Sequence, residues 1–218
     1  MVPAGAPPAL AAIAQRFAET SRGVVAFRLH RTFEARAGFS SRHEDLVMDG
    51  IYRDGSVVKV VVRSYTIDGR VADANAVATV ERGWENPKAG DVFAPPFDSR
   101  NFDAYQYQGL ASGAIAFTSS VKDAGHGNGS FAYDAESNVV SCVYQPNALP
   151  PHASSGEISD KRSEVLPGYW AVTQETQTYR GNVGPFAGSG TVEYVYSGFR
   201  RFRDVESATR SLAREKVQ

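Results

Sequence analysis

Hydrophobic and polar residues alternate along most of this chain, and the period of the alternation changes only near its ends and once in the middle. From residue 24, "VVAFRLHRTFEARAG" sets Val25, Phe27, Leu29, Phe33 and Ala35 on one face and Arg28, His30, Thr32, Glu34 and Arg36 on the other. That is the period-two pattern of a half-buried strand. Ahead of it, Leu10, Ile13, Ala14 and Phe17 recur at helical spacing between Pro7-Pro8 and Gly23, which predicts an amphipathic helix over 8–22. After it, "LVMDGIYRDGSVVKVVVRSYTIDG" reads as two strands turning at Asp54-Gly55 with a further turn at Asp68-Gly69, so strands are predicted across 24–67. Val77, Val80 and Trp84 then return to helical spacing and stop at Asn86-Pro87. With the Pro-rich "FAPPFDSRNF" that follows, 73–100 is predicted to be a helical insertion and a surface loop. The loop's Phe93, Phe97 and Phe102 need something to pack against.

Strands resume over 104–203, around 105–107, 114–119, 130–133, 139–144, 156–165, 169–180 and 191–196. Turn chemistry in "HGNGS", "DAESN", "QPNALPPHASSG", "LPG" and "GNVGPFAGSG" separates them. Asn128-Gly129 reads as a hairpin turn rather than a phosphate loop, because a strand and not a helix follows it. In the tail 204–218, Val205, Ala208 and Leu212 share a face, consistent with a terminal helix or a partly disordered end. The expectation is one domain over 1–218, mainly β (α+β): nine to eleven antiparallel strands with an N-terminal helix and one or two further helices. The strand "YWAVTQETQTYR" is apolar at one end and polar at the other. Long meandering strands curl into a barrel or part of one, apolar at depth and polar at the mouth, so the polar half of 169–181 is predicted at the rim.

Composition narrows the function. The 218 residues can bury a sizeable core, and a net charge of -1 from 23 basic and 24 acidic residues gives no electrostatic footprint for nucleic acid or an anionic membrane. The single cysteine, Cys142 in "NVVSCVYQ", has no disulfide or metal-cluster partner and reads as a packed strand residue. Apolar runs such as "VVKVVV" are far too short to span a membrane.

Candidate chemistry is sparse. His30 lies on the outward face of its strand. His43, Glu44 and Asp45 could ligate a metal, but neighbours on a strand point to opposite faces. The Ser-x-x-Lys pattern in "SSVK" needs a helical turn and sits on a strand. "EISDKRSE" places Asp160, Arg162 and Glu164 together with Lys161 opposite, and reads as a solvated, salt-bridged face more than an acid–base pair. No catalytic residue, metal or cofactor is predicted, and the chain reads as a non-enzyme.

The helix "PALAAIAQRFAETSRG" running straight into "VVAFRLHRTF", then strand pairs at Asp-Gly turns, a helical insertion and a second set of strands, resembles the LolA/LolB-like lipoprotein carriers and their lipid-binding relatives. The resemblance spans most of the chain in element order and rests on no single motif, so no family site residue is carried over. It implies an incomplete β-barrel covered by helices, with lipid or lipoprotein acyl chains in its concave cavity and envelope transport proteins as partners. It also implies a periplasmic or secreted location, with a leader that these residues do not include. No cysteine near the N-terminus is available for lipidation, so the soluble carrier is the better match than an anchored receptor.

Alternation then nominates the residues of a hydrophobic cavity. These are Leu10, Ile13 and Phe17 from the helix, Phe27, Leu29 and Phe33, then Val58, Val60 and Val62, then Ile115 and Phe117, and finally Trp170, Val172, Tyr194 and Tyr196. Two other readings stand beside the carrier. One is a non-catalytic interaction domain whose apolar residues simply fill a β core and whose exposed edge or patch binds a protein. The other is a hydrolase with a site assembled from distant residues.

Overall fold

The structure, a computed structural model, describes residues 2–88 and 90–215. The strands among them are β1 (Val24–Ala37), β2 (Ser40–Arg53), β3 (Ser56–Ile67), β4 (Arg70–Val71), β5 (Gln106–Gly109), β6 (Ile115–Thr118), β7 (Gly127–Tyr133), β8 (Val139–Pro146), β9 (Ala153–Leu166), β10 (Tyr169–Val183) and β11 (Phe186–Phe202). All join one sheet in the order β4-β3-β2-β1-β11-β10-β9-β8-β7-β6-β5. The first strand thus pairs with the last, and both lie near the middle. The edges, β4 and β5, do not pair, so the sheet is open: the incomplete barrel that the sequence implied. Five central strands of 14 to 17 residues give the sheet twist enough length to curl it.

This order forces the chain from the β4 edge across to the β5 edge. Residues 72–105 make that traverse, as helix α2 (Ala74–Glu85), the Pro-rich loop and a 3-10 turn at Ser99–Ala104. Asp73 starts α2 by accepting from the Ala76 N–H, a side-chain cap that satisfies one of the orphan donors of the first turn. The three loop phenylalanines find their partners. Phe97 and Phe102 are buried with Leu10 and Ile13 of helix α1 (Ala9–Thr20), and Phe93 stacks on Tyr144 at 4.5 Å between ring centroids.

The two faces of β1 divide the helices. Phe27 and Leu29 pack with α2 through Val80 and Trp84, while Val24 and Ala26 pack with Ala208 and Leu212 of helix α3 (Val205–Arg214) on the other side. Of the two forms expected for the tail, the helix is the one present over 205–214. A reciprocal capping box between Asp204 and Ser207 starts it, and the Arg63 guanidinium donates to the Leu212 carbonyl near its end.

Two predicted turns are strand interior instead. Asn128-Gly129 lies inside β7, with Gly129 opposite Tyr144, and a Cβ at Gly129 would meet the Val143 carbonyl oxygen at 2.0 Å. "GNVGPFAGSG" turns only at Gly184-Pro185, since Gly181 and Gly188 are paired strand residues. A Cβ at Gly181 would stand 1.8 Å from the His152 carbonyl oxygen. These glycines permit close backbone approach within the sheet, a use that shares its composition with a turn.

Candidate functional site

Part of the α1–α2 side of the sheet is filled and part is open. At the β5–β8 end, Leu10 and Ile13 of α1 pack against Ile115, Phe117 and Phe131 in a closed cluster. At the β2–β3 end, α2 lies over Phe27, Leu29, Val60 and Val62. Between sheet and traverse is a cavity of about 1360 Å³, above the roughly 300–1,000 Å³ usual for small-ligand sites. Its walls include Phe17 of α1, Val80 and Trp84 of α2, Phe93 of the loop, and on the sheet Tyr52, Val57, Tyr144, Ile158, Trp170, Val172, Tyr179, Tyr194 and Tyr196. A second cleft, of about 380 Å³, is rimmed by Arg22, Arg53, Arg201 and Arg203 around Asp54. Those four arginines are exposed and already solvated, whereas the larger cavity holds buried polar groups, so the larger one is the candidate site.

Of the residues nominated from sequence, Phe17, Trp170, Val172, Tyr194 and Tyr196 line this cavity. Phe27, Leu29, Val60 and Val62 face the same side but lie under it, Phe27 stacked on Tyr52 at 4.3 Å. Leu10, Ile13, Ile115 and Phe117 belong to the filled end. Phe33, farther along β1, is partly buried and stands outside the cavity wall. Val58 is a correction. The β2–β3 ladder pairs Ile51 with Lys59 and Tyr52 with Val57, so Val58 is an extra residue in a bulge and packs on the α3 side with Ile51 and Leu212. One inserted residue reverses the alternation beyond it, which also brings Val57 into the cavity wall.

A row of side chains crosses the sheet at the cavity, and Arg31, Tyr194 and Glu175 of it line the floor. Reading the register across four ladders, Arg31 on β1 sits opposite Tyr194 on β11, Tyr194 opposite Glu175 on β10, Glu175 opposite Asp160 on β9, and Asp160 opposite Cys142 on β8. Neighbouring members are roughly 5 Å apart in such a row. A register shift between Val172 and Gln174 leaves Thr173 unpaired and puts both Val172 and Glu175 on the cavity side. The polar half of 169–181 is therefore cavity wall through Glu175 and Gln177 as far as Tyr179, where the sequence predicted only rim.

The charges in this row are strongly coupled to their surroundings. Burial pushes the Glu175 carboxyl up to about 7; a 2.6 Å hydrogen bond from Gln177 and the Arg162 charge oppose that shift, and the Asp160 charge adds to it. Burial likewise raises Asp160, against the Arg162 charge and the Cys142 N–H that donates to it at 2.9 Å. Arg31 pairs with Glu44, which also accepts from Arg42 and from the Tyr65 hydroxyl, each at 2.7 Å. Burial alone would raise Glu44, but those hydrogen bonds and the two guanidinium charges outweigh it and hold the carboxyl below its ordinary value. Glu44 is thus committed to arginines and a tyrosine, and His30 pairs with Asp45 at 2.9 Å, so the three adjacent residues His43, Glu44 and Asp45 do not converge. Among the described residues no three His, Cys, Asp or Glu side chains are grouped to hold a metal.

Asp160 and Arg162 also correct the sequence reading of 157–164 as a solvated face. Their side chains are 7% and 10% exposed, because β9 runs inside the sheet with α1 and the Pro-rich loop over it. Of the three charged residues read on that face, only Glu164, near the strand end, is exposed, where it accepts from the Gly168 N–H. Sequence reasoning missed Arg31, Arg162, Glu175 and Gln177 as cavity residues. One signal was present: Arg31 shares the parity of Phe27, Leu29 and Phe33, a charge on the apolar face of the clearest strand in the chain.

No protein-family description matches this chain, and no curated protein does. Several solved structures are similar to it. A domain assigned as an outer membrane lipoprotein-sorting protein, from Vibrio parahaemolyticus, is 12% identical, with 93% of this chain and 97% of that one covered and a TM-score of 0.44. A LolA-superfamily protein from Nitrosomonas europaea is 9% identical over 91% of this chain and 96% of that one, at 0.40. Lipovitellin is 7% identical over 86% of this chain and 26% of that one, at 0.42.

Proposed function

We propose that this protein is a carrier of the cell envelope that holds an acyl chain, on a lipid or a lipoprotein, in the cavity between its sheet and residues 72–105. One observation carries the reading: a space of about 1360 Å³ walled by tyrosine, tryptophan, phenylalanine and valine side chains stands where a filled core would be. Each methylene moved from water into such a space contributes about 0.8 kcal/mol, so ten of them offset most of the cost of association with no sequence motif required. No helix among the described residues is long and apolar enough to cross a membrane. The transport proteins of the envelope would then be its partners in loading and delivery.

Native mass spectrometry of the freshly purified full chain tests this. Additional mass of several hundred daltons, lost on denaturation and recovered by solvent extraction as an acyl-chain compound, is the expected result. A bare polypeptide mass that persists after incubation with phospholipid and with fatty acid would overturn the carrier. It would favour the interaction domain, for which Phe39 and Phe186, exposed at adjoining hairpin tips, offer an apolar surface.

A further inference from the structure

The polar groups on the cavity floor do something that an apolar cavity does not need. The Arg162 guanidinium is nine-tenths buried and lines the cavity, yet it makes no hydrogen bond to any described residue. Its nearest acidic oxygen, on Asp160, is 4.0 Å away, beyond hydrogen-bonding distance. Instead its central carbon lies 5.4 Å from the ring centroid of Phe17 and 5.5 Å from that of Phe97, which fix the group in place without satisfying its five N–H donors. Arg31, which also lines the cavity, has its Nε buried without a partner while its Nη2 is spent on Glu44. Largely buried donors left without a protein partner are costly, and the penalty is relieved by an acceptor brought into the cavity they border.

The geometry points to a specific acceptor. We propose that Arg162 anchors the anionic oxygens of an amphiphile's head group, a carboxylate or a phosphate, so that the cargo lies with its head on the floor of the cavity and its chain along the aromatic wall. A planar guanidinium fork matches two oxygens of one anion, and that pairing is stronger when water is excluded. Glu175 stands beside it with one hydrogen bond, from Gln177, and in its neutral form has an O–H to donate to the same head group. The chain would then run past Tyr52, Trp84 and Tyr196 toward the traverse. This inference rests on the carrier reading and narrows it, from acyl chains in general to an anionic amphiphile held head-inward.

Three probes with one chain length separate the possibilities: palmitate, 1-palmitoyl-lysophosphatidate and the uncharged hexadecanol, each titrated near neutral pH into the full-length protein. The wild type should prefer at least one of the anions to hexadecanol by about tenfold or more, the worth of a desolvated charge-assisted pair. Arg162→Met should reduce that preference to about twofold or less while leaving hexadecanol binding intact, which also certifies that the variant is folded. Arg162→Lys should restore part of the preference, and Lys161→Met, on the opposite face of β9, should change nothing. Preference for palmitate assigns a carboxylate head, and preference for lysophosphatidate a phosphate. Equal binding of all three by the wild type would leave the cavity standing and remove the anchor. An equal loss of all three in Arg162→Met would make Arg162 a structural residue only. Binding of none of them would defeat the carrier reading and the anchor with it.

Discussion

Glu175 shows what the cavity floor costs the fold. Its ordinary value of 4.5 is raised to about 7 by burial among Tyr52 from β2, Tyr144 from β8, Asp160 and Arg162 from β9, Gln177 and Tyr179 from β10, and Tyr194 and Tyr196 from β11. A carboxyl raised by folding is neutral in both states at low pH and costs nothing there. As pH climbs from about 4.5 to about 7 the unfolded chain ionises first, so stability falls through that window and levels off above it. At about 1.4 kcal/mol per unit the loss is at most of the order of 3 kcal/mol, reduced by whatever water the cavity admits. Urea midpoints across the window should show this decline in the wild type and a flatter profile in Glu175→Gln. An identical slope in both would mean that Glu175 is solvated in the folded protein. The residue scale is also where the sequence was least legible. Alternation tells which residues share a face, but it does not tell which face is covered, and so Asp160 and Arg162, in a run of charges, read as solvent-facing.

Elements were easier to read than their joints. Helices α1 and α2 and strand β1 follow directly from periodicity, because each lays an apolar stripe against a neighbour. The bulges at Val58 and Thr173 did not, since an extra residue leaves local composition unchanged while reversing every side chain beyond it. Glycine misled in the same way. Gly129 looks like a turn residue beside Asn128, yet the space it leaves is occupied by the β8 backbone at Val143. Gly129→Ala should therefore destabilise the protein by about 1–3 kcal/mol or more, the cost of overpacking a site that cannot relax, and thermal unfolding would register it as a clear drop in Tm. If the alanine variant melts with the wild type, the segment is a turn after all and the β7–β8 register is wrong.

Nothing local could have shown that β1 pairs with β11, and that pairing arranges the whole molecule. It places both edges of the sheet at the two ends of a single traverse, so the roof of the cavity and the cover of one sheet edge are the same stretch of chain. The cover is specific. Beyond the two residues of β4, the edge strand β3 has free backbone donors, and α2 accepts from them: Val62 N–H gives to Glu81 at 3.0 Å and Val60 N–H to Glu85 at 3.1 Å, with Lys59 also on Glu85 at 2.7 Å. Helix α2 has no fully buried residue, so these bonds complement the packing of Val77, Val80 and Trp84. Charge-assisted bonds of this kind contribute about 1.5–3 kcal/mol each. Replacing both acids, in Glu81→Ala/Glu85→Ala, should loosen the roof without touching the cavity floor. Amide exchange should rise by about tenfold or more at α2 and at Val60 and Val62, any bound chain should leave faster, and the bared β3 edge should add a self-associating species in sedimentation. Unchanged exchange in α2 would mean that Val77, Val80 and Trp84 hold the helix by themselves, and entry to the cavity would then have to be sought along the other margin of the traverse, where Phe93 and Tyr144 stack.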